Sequence, residues 1–160
     1  MVSNCIGIDV SKASINVHIQ KNSKDFIFEN SLKGFKSLFS KLKKIYKKEI
    51  ENIIFIFEPT GSYSEALRQF CSEKEIKCFI INPKQFSNYA KALGEEVKND
   101  VNDARVLSKA LHLSKKGQVK VPLFNGDVEH IKELMSFYKF LCQFLLQYNT
   151  IKNLKVFMND

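Results

Sequence analysis

The first thirty residues place apolar and polar side chains in patterns that predict three β-strands. Residues 6–10 form a short apolar run interrupted by one carboxylate, which is typical of a buried strand. Residues 14–20 alternate between apolar and polar side chains, so we expect a half-buried strand with His18 on its solvated side. A third strand is predicted over residues 24–30. Tight turns between the three strands predict an antiparallel meander.

Ser31 is predicted to begin the first helix, because the apolar residues that follow recur every three or four positions. Lysines fill the positions between them, and no acidic residue occurs between positions 31 and 48. The favoured interpretation is a solvated outer face. The alternative is a face that contacts phosphates with salt-sensitive affinity, for which the candidates are Lys41, Lys44 and Lys48.

A central strand is predicted over residues 53–57, which are continuously apolar and so buried on both faces. Glu58 follows directly and would lie where open α/β sheets place their chemistry, at the C-terminal end of a strand. Alternatively, Glu58 is merely the first solvated residue after its strand. Ser62 is expected to cap a helix over residues 63–74, and a parallel strand follows over residues 77–81.

Two shorter helices are predicted on either side of a polar segment. The first covers residues 85–93 and ends at Gly94. The polar segment, residues 95–103, leads into the second helix, which carries Asp100 and Asp103 at its N-terminal end. Residues three positions apart on a helix lie on the same face, so we expect Asp100 and Asp103 to share one face. The alternative is that these acids only cap the helix and complement its dipole.

From Val128 onward the pattern predicts one long helix with a heptad seam. The seam consists of Ile131, Leu134, Tyr138, Leu141, Leu145 and Tyr148. Further apolar residues lie beside it, so this helix must pack on the domain, on a second copy or on another part of a longer chain. We therefore expect a domain over residues 1–125 and a separate helical segment over residues 126–160.

Composition favours a polyanionic partner. The chain of 160 residues is long enough for one domain with a real core. Its net charge of +8 and pI of about 9.3 favour nucleic acid first and an anionic membrane surface second. No apolar run approaches the roughly 18 residues that a membrane span needs. We therefore expect no membrane partner.

The four cysteines lack any CxxC spacing, and no cleavable signal sequence precedes them. This pattern predicts reduced, mostly buried thiols in a cytoplasmic protein. The three histidines are scattered, and together with the cysteines they give no zinc-site spacing. Any metal would therefore be bound by oxygen.

Four carboxylates occur where a charged side chain is unusual, within a buried strand, at a strand end or at a helix start, and we expect them to form one site. Asp9 interrupts a buried strand, where a charge is costly unless a cation or several donors meet it, although it could instead cap the turn at Ser11 and Lys12. In a meander followed by parallel strands, the first and fourth strands are neighbours. Asp9 and Glu58 then lie side by side. The candidate catalytic and metal-binding residues are Asp9, Glu58, Asp100 and Asp103.

Carboxylates held this close would repel unless cations neutralise them. Two Mg²⁺ or Mn²⁺ ions would do so and would activate a water or hydroxyl for attack on a phosphodiester. The basic faces would hold the nucleic acid, with Lys12, Lys41, Lys44, Lys48 and Lys98 as candidate contacts.

Four segments of the chain resemble the N-terminal domain of the DEDD-type insertion-sequence transposases, a family that includes the pilin-gene inverting site-specific recombinase Piv. The segments are Gly7-Ile8-Asp9-Val10-Ser11-Lys12, Glu58-Pro59-Thr60-Gly61-Ser62-Tyr63, Asn82-Pro83 and Lys98-Asn99-Asp100-Val101-Asn102-Asp103-Ala104. The resemblance implies an α/β fold of the ribonuclease H-like (RuvC-like) type. It also implies that Asp9, Glu58, Asp100 and Asp103 are the metal-binding set of a DNA transposase or invertase.

The resemblance also implies features beyond this chain. Full-length members carry a C-terminal domain with a serine proposed as the nucleophile, and many insertion-sequence members use a structured guide RNA. On this basis the chain is a fragment, and its helix from Val128 is a coiled-coil connector to the missing domain. DNA would be the partner, and the helix would join copies into a dimer or tetramer.

Three other functions are compatible with parts of the pattern. A stand-alone Holliday-junction resolvase or nuclease would be expected to bury the apolar C-terminal helix. A phosphotransferase of the actin and sugar-kinase type would need a second glycine-rich loop, and the six glycines are never paired. A non-catalytic nucleic-acid-binding module, with the carboxylates as structural caps, predicts no effect of divalent ions on stability.

Overall fold

The computed structural model describes residues 4–94 and 99–157, without the side chains of residues 129, 133, 149 and 151–157. The candidate contact Lys98 therefore lies outside the described residues. Within the described residues, five strands form one mixed sheet: β1 (Cys5–Val10), β2 (Ser14–Ile19), β3 (Lys24–Glu29), β4 (Ile54–Phe57) and β5 (Lys77–Ile80). The same part of the chain contains five α-helices: α1 (Leu32–Tyr46), α2 (Glu65–Glu73), α3 (Pro83–Ala92), α4 (Asp100–Lys109) and α5 (Gly126–Phe157).

The sheet has the order β3-β2-β1-β4-β5. Strands β1, β2 and β3 pair antiparallel, and β4 and β5 pair parallel to β1. This confirms the predicted meander followed by parallel strands. It also confirms that the first and fourth strands are neighbours, so the C-terminal ends of β1, β4 and β5 meet at one edge.

Helices cover both faces of the sheet, because alternate residues of each strand point to opposite sides. On one face, Ile6, Ile8 and Val10 of β1 pack in a core cluster with apolar residues of α1 and α2. On the other face, Cys5 and Ile56 belong to a second cluster with residues of α3 and α4. The candidate carboxylates must therefore be assigned to one face or the other.

The prediction of a solvated His18 is wrong. Its side chain is buried, and its Nδ1 lies 2.7 Å from Oδ1 of Asp25 on β3. The alternation along β2 is real, since Ile15, Val17 and Ile19 lie in the core cluster beneath α1. The polar positions nevertheless face another helix, because α4 packs over the opposite side of β1 and β2.

Some helix starts also differ from the predictions. Ser62 lies within a 3₁₀ turn, Gly61–Ser64, which precedes α2, so it does not cap that helix. Helix α3 begins earlier than expected, because Asn82 accepts a hydrogen bond from the Lys84 amide and proline follows it at the first helical position. Helix α5 begins at Gly126, before the predicted start at Val128, and Oδ1 of Asn125 accepts the amide of Asp127.

Ser31 caps α1, as predicted. Its hydroxyl oxygen accepts a hydrogen bond from the Gly34 amide at 3.2 Å. We expect Ser31→Ala to lower the free energy of unfolding by about 1 kcal/mol, because an orphan amide of the first turn loses its acceptor. Urea unfolding of this variant beside Ser37→Ala, an exposed position within α1, measures the effect. Equal stabilities of the two variants would contradict the capping role.

The chain divides into two compact units between Leu123 and Phe124. In the second unit, α5 is a continuous helix with exposed apolar side chains, including Phe137, Phe140 and Phe144. Among the helices of the described residues, none is both long enough and apolar enough to cross a membrane. The role of the helix as a connector stays a prediction.

Candidate active site

The carboxylate of Asp9 belongs to the face of β1 that α4 covers. It follows Cys5 and Gly7 at alternate positions, and both of these contact the α4 side. Directly opposite on β2 is Asn16. The β1–β2 turn that follows Asp9 is closed by Ser11, whose amide and hydroxyl both donate to the carbonyl oxygen of Ser14 at 2.9 and 2.8 Å.

Glu58 directly follows β4, on the neighbouring parallel strand. The register pairs Cys5 with Ile54 and Gly7 with Ile56, and the same offset continued by two residues aligns Asp9 with Glu58. Ile54 and Ile56 belong with the cluster on the α4 face, so the alternation of β4 assigns Glu58 to that face as well. The prediction that β1, which carries Asp9, neighbours the strand before Glu58 is therefore confirmed.

The loops after Asp9 and Glu58 are tied together by one side chain. The amide nitrogen of Asn30, just past β3, donates to the carbonyl oxygens of Ser11 at 2.8 Å and Tyr63 at 2.9 Å. These two bonds join the turn after β1 to the segment after β4. The sequence analysis did not find this bridge, because its partners are 19 and 33 positions away.

Helix α4 lies so close to β1 that only glycine fits at position 7. A Cβ atom on Gly7 would lie 1.9 Å from the carbonyl oxygen of Ala104 and 2.4 Å from the amide nitrogen of Ser108. Cys5 belongs to a cluster with residues at the C-terminal end of α4 and just after it, Leu107 and Ala110. The helix therefore runs in the opposite direction to β1.

Two strand residues span about 6.7 Å and four helical residues about 6 Å, so this direction leads us to expect Asp9 near the turn that precedes Ala104. A cleft lined jointly by Asn16 and residues 99–102 agrees with this placement. Asp100 and Asp103 are carried by this turn. Asn99, rather than either aspartate, is the capping residue, since its Oδ1 accepts the Asn102 amide at 2.8 Å.

Asp9 lies near the C-terminal end of β1, Glu58 directly follows the neighbouring strand β4, and Asp100 and Asp103 belong to the first turn of α4, which packs on β1; we call this region the carboxylate edge. Among the residues that the structure describes, no three His, Cys, Asp or Glu side chains are grouped closely enough to hold a metal ion. Cys5 is the nearest thiol along β1, and burial raises its pKa to about 11. It is therefore protonated at neutral pH and packs as an apolar side chain.

A charged cluster fastens α4 to the sheet beside these carboxylates. Arg105 of α4 donates to Asp25 of β3, with its Nε 3.1 Å from Oδ2, and His18 contacts the same carboxylate. The Arg105 hydrogen bonds, aided by His18, hold the pKa of Asp25 below its usual range. This cluster was not predicted, because Asp25 and Arg105 are 80 positions apart in the sequence.

Asp25→Asn is expected to lower stability at pH 7 by about 1–2 kcal/mol, because charge-assisted hydrogen bonds are replaced by neutral ones. A carboxyl with a lowered folded-state pKa stabilises the fold above its unfolded value, near 3.8, and this contribution is lost as the pH falls through the folded pKa. The variant should therefore lose less stability than the wild type on acidification below about pH 4. Urea unfolding across this pH range measures the difference.

The control for Asp25→Asn is Glu49→Gln, which breaks the surface pair between Lys21 and Glu49. Exposed pairs contribute little, so this change should stay within about 0.5 kcal/mol. Equal effects of the two variants at pH 7 would contradict a special role for Asp25.

The candidate lysines lie on different sides of the domain. Lys12 is exposed in the turn after β1, near the carboxylate edge. Lys41, Lys44 and Lys48 belong to α1 and the 3₁₀ turn after it, on the face opposite α4. The ammonium group of Lys41 lies 4.3 Å from the ring centroid of Phe26. Contacts of these lysines with nucleic acid stay a prediction.

Comparison with known proteins identifies the family. A family model described as a DEDD transposase matches residues 6–155. The pilin gene-inverting proteins of Moraxella bovis and Moraxella lacunata are each 31% identical to this chain over 111 residues, which is 68% of this chain and 34% of each relative. The chain thus spans about a third of the length of these relatives. Since the family model covers nearly the whole sequence, the chain belongs to the DEDD transposase family.

Proposed function

We propose that this chain is the metal-dependent catalytic domain of a DNA transposase or site-specific recombinase. One observation supports the proposal: β1, which carries Asp9, and β4, which Glu58 follows, are adjacent parallel strands, and α4, whose first turn carries Asp100 and Asp103, packs on β1. The substrate would be a DNA phosphodiester. The names of the Moraxella relatives, which refer to gene inversion, support a DNA rearrangement by the whole protein.

Asp9, Glu58, Asp100 and Asp103 would together hold Mg²⁺ or Mn²⁺, and two ions are expected. Carboxylate oxygens are the ligands that these hard cations prefer. When bound, such ions stabilise charge on phosphoryl oxygens and activate the attacking oxygen.

Three residues outside the carboxylate set would position the carboxylates. Gly7 allows α4 to approach β1, Arg105 fastens α4 to Asp25, and Asn30 ties the two carboxylate loops together. Precise placement of reacting groups contributes much of the rate enhancement in such sites. We therefore assign these three residues positioning roles.

DNA would be held by charge as well as by the site. The net charge of +8 favours phosphate binding, and Lys12 is the candidate contact nearest the carboxylate edge. The exposed apolar residues of α5 support packing of this helix against another copy of the chain, in a dimer or tetramer. A structured guide RNA is a further partner that the family resemblance implies.

Nicking of supercoiled plasmid DNA tests the catalytic proposal. The chain is incubated with plasmid in Mg²⁺, Mn²⁺ or EDTA, beside a variant in which all four carboxylates are changed to amides. We expect relaxed or linear DNA only with the wild type and a divalent ion. Two outcomes would overturn the proposal: cleavage that persists in EDTA or in the variant, or DNA binding without any metal-dependent cleavage.

A further inference from the structure

The outer face of α1 carries lysine and serine side chains. The opposite side of the helix is buried against the sheet through Phe35, Leu38, Leu42 and Tyr46. With about 3.6 residues per turn, the positions that point away from this stripe include five exposed residues: Lys33, Lys36, Ser37, Ser40 and Lys44. We call these five residues the lysine face. No acidic residue occurs between positions 31 and 48, so the charge of the lysine face is entirely positive.

The stability of α1 does not account for these lysines. Positive charge is unfavourable near the N-terminus of a helix, yet Lys33 lies in the first turn of α1, and no acidic residue accompanies it there. Lys33 and Lys36 are three positions apart, a spacing at which like charges repel. Of the three lysines of the face, only Lys44, in the last turn, complements the helix dipole. Two of the three thus weaken the helix that carries them, which indicates a role in binding.

Other parts of the domain do not neutralise the lysine face. Within the described part of the chain, none of its lysines forms an ion pair or a hydrogen bond with a carboxylate. Glu49, the first acid after α1, pairs with Lys21 instead. A helix face that is merely solvated typically carries both signs of charge in pairs that attract. The lysine face therefore fits an anionic partner.

We propose that the lysine face binds the phosphate backbone of a DNA duplex, at a segment other than the one at the carboxylate edge. The inference rests on the proposed function and adds a second DNA-binding face to it. Helix α1 packs in the core cluster on one face of the sheet, whereas α4 covers the other face. The sheet thus lies between the lysine face and the helix turn that carries Asp100 and Asp103. Because a DNA rearrangement joins two segments, a second binding face has a use in the reaction.

The geometry of the lysine face fits a duplex. Lys33 and Lys44 are 11 positions apart, so they lie about 16 Å apart along the helix, the length of about five base pairs. Proteins that bind single strands place aromatic side chains where bases can stack on them, and the lysine face has none. It also lacks the asparagine and glutamine side chains that read adenine. The contacts are therefore made with phosphates, without regard to sequence.

An anionic membrane surface fits the lysine face less well than DNA does. A helix that lies in a membrane surface inserts its apolar side between the lipids. The apolar side of α1 is buried in the core of the domain. Duplex RNA offers the same phosphate chemistry as DNA, but DNA is the substrate proposed for the carboxylate edge, and RNA is therefore an arm of the test.

A triple substitution tests the inference. Lys33, Lys36 and Lys44 are changed together to glutamine in the full chain, because glutamine has nearly the helix propensity of lysine. Binding to a short DNA duplex of arbitrary sequence is measured by fluorescence anisotropy in EDTA, over a range of salt concentrations. We expect the affinity at low salt to fall by at least about 10-fold, and the slope of log K against log salt to become shallower by about 3, one for each lost phosphate contact. A duplex of unrelated sequence should show the same loss.

The matched control changes Lys91, Lys115 and Lys116 to glutamine, since these exposed lysines lie outside α1 and the change in net charge is the same. The control should keep the affinity and salt dependence of the wild type. Equal losses in the two variants, or no loss in the α1 variant, overturn this inference alone. Duplex RNA bound more tightly than DNA through the same lysines also overturns it, because the lysine face would then belong to RNA. A chain that binds duplex DNA through α1 but never nicks plasmid overturns the proposed function instead.

Discussion

Asp9→Asn is expected to reduce metal-dependent DNA cleavage by at least about 100-fold, the cost of removing one preorganised group from such a site. The change keeps the size of the side chain and removes the charge at the C-terminal end of β1, beside Glu58 on β4. An amide is a much weaker ligand than a carboxylate for a hard cation. Plasmid nicking in Mg²⁺ and Mn²⁺ measures the loss.

The control for Asp9→Asn is Asp127→Asn. Asp127 is an exposed aspartate in the first turn of α5, so it resembles Asp100 in its local setting but lies in the other unit of the chain. Cleavage by this variant should match that of the wild type. Equal losses in the two variants would mean that the effect comes from net charge, and the assignment of Asp9 to the site would be wrong.

Gly7→Ala is expected to cause the largest loss of stability, about 3 kcal/mol or more, at the upper end of the cost of overpacking. A Cβ atom at this position would lie 1.9 Å from a backbone oxygen of α4 and 2.4 Å from a backbone nitrogen. Neither atom can move without moving the helix. The substitution must therefore lift α4 from β1 and displace Asp100 and Asp103 from the carboxylate edge. Urea unfolding measures the loss of stability.

Alanine substitutions at two other glycines serve as controls, because they show whether the loss of stability is specific to position 7. Gly126 has nothing within 4 Å of an added Cβ, so Gly126→Ala should leave stability nearly unchanged. Gly34, in α1, would clash with the carbonyl oxygen of Glu29 at 2.0 Å, on the opposite face of the sheet. Gly34→Ala should therefore destabilise the fold while its folded fraction cleaves DNA normally. A Gly7→Ala protein as stable as the wild type would contradict the close packing of α4.

The sequence allowed prediction of the sheet because its strands differ in pattern. The alternation along residues 14–20 indicated a strand of the antiparallel meander, and the continuous apolar run at 53–57 indicated a central parallel strand. That difference led to the prediction that β4 neighbours β1, which is confirmed, and to the prediction that Asp9 lies beside Glu58. The pairing followed from local periodicity together with a general rule of connection, without any long-range information.

The predictions that were wrong or missing concern contacts between residues that are far apart in the sequence. Alternation in β2 looks the same whether its polar side faces water or a polar part of a helix, so His18 was wrongly expected to be solvated. The pairing of Asp25 with Arg105 and the two bonds of Asn30 follow from the packing of α4 and of the loops. Periodicity carries no information about such contacts, and the burial of Asn16 was missed for the same reason.

The most direct test of the central claim is a thermal melt of the wild type and Asp9→Asn in EDTA, Mg²⁺ and Mn²⁺. A cation that binds only the folded chain adds about 2.7 kcal/mol to the free energy of unfolding when its free concentration is about 100 times its Kd. The wild type should therefore melt higher with either ion. Asp9→Asn should be at least as stable as the wild type in EDTA, because one of the repelling charges is gone, and should not respond to the ions. Equal responses of the two proteins, or a variant that is destabilised while neither protein responds to metal, would contradict a shared cation site.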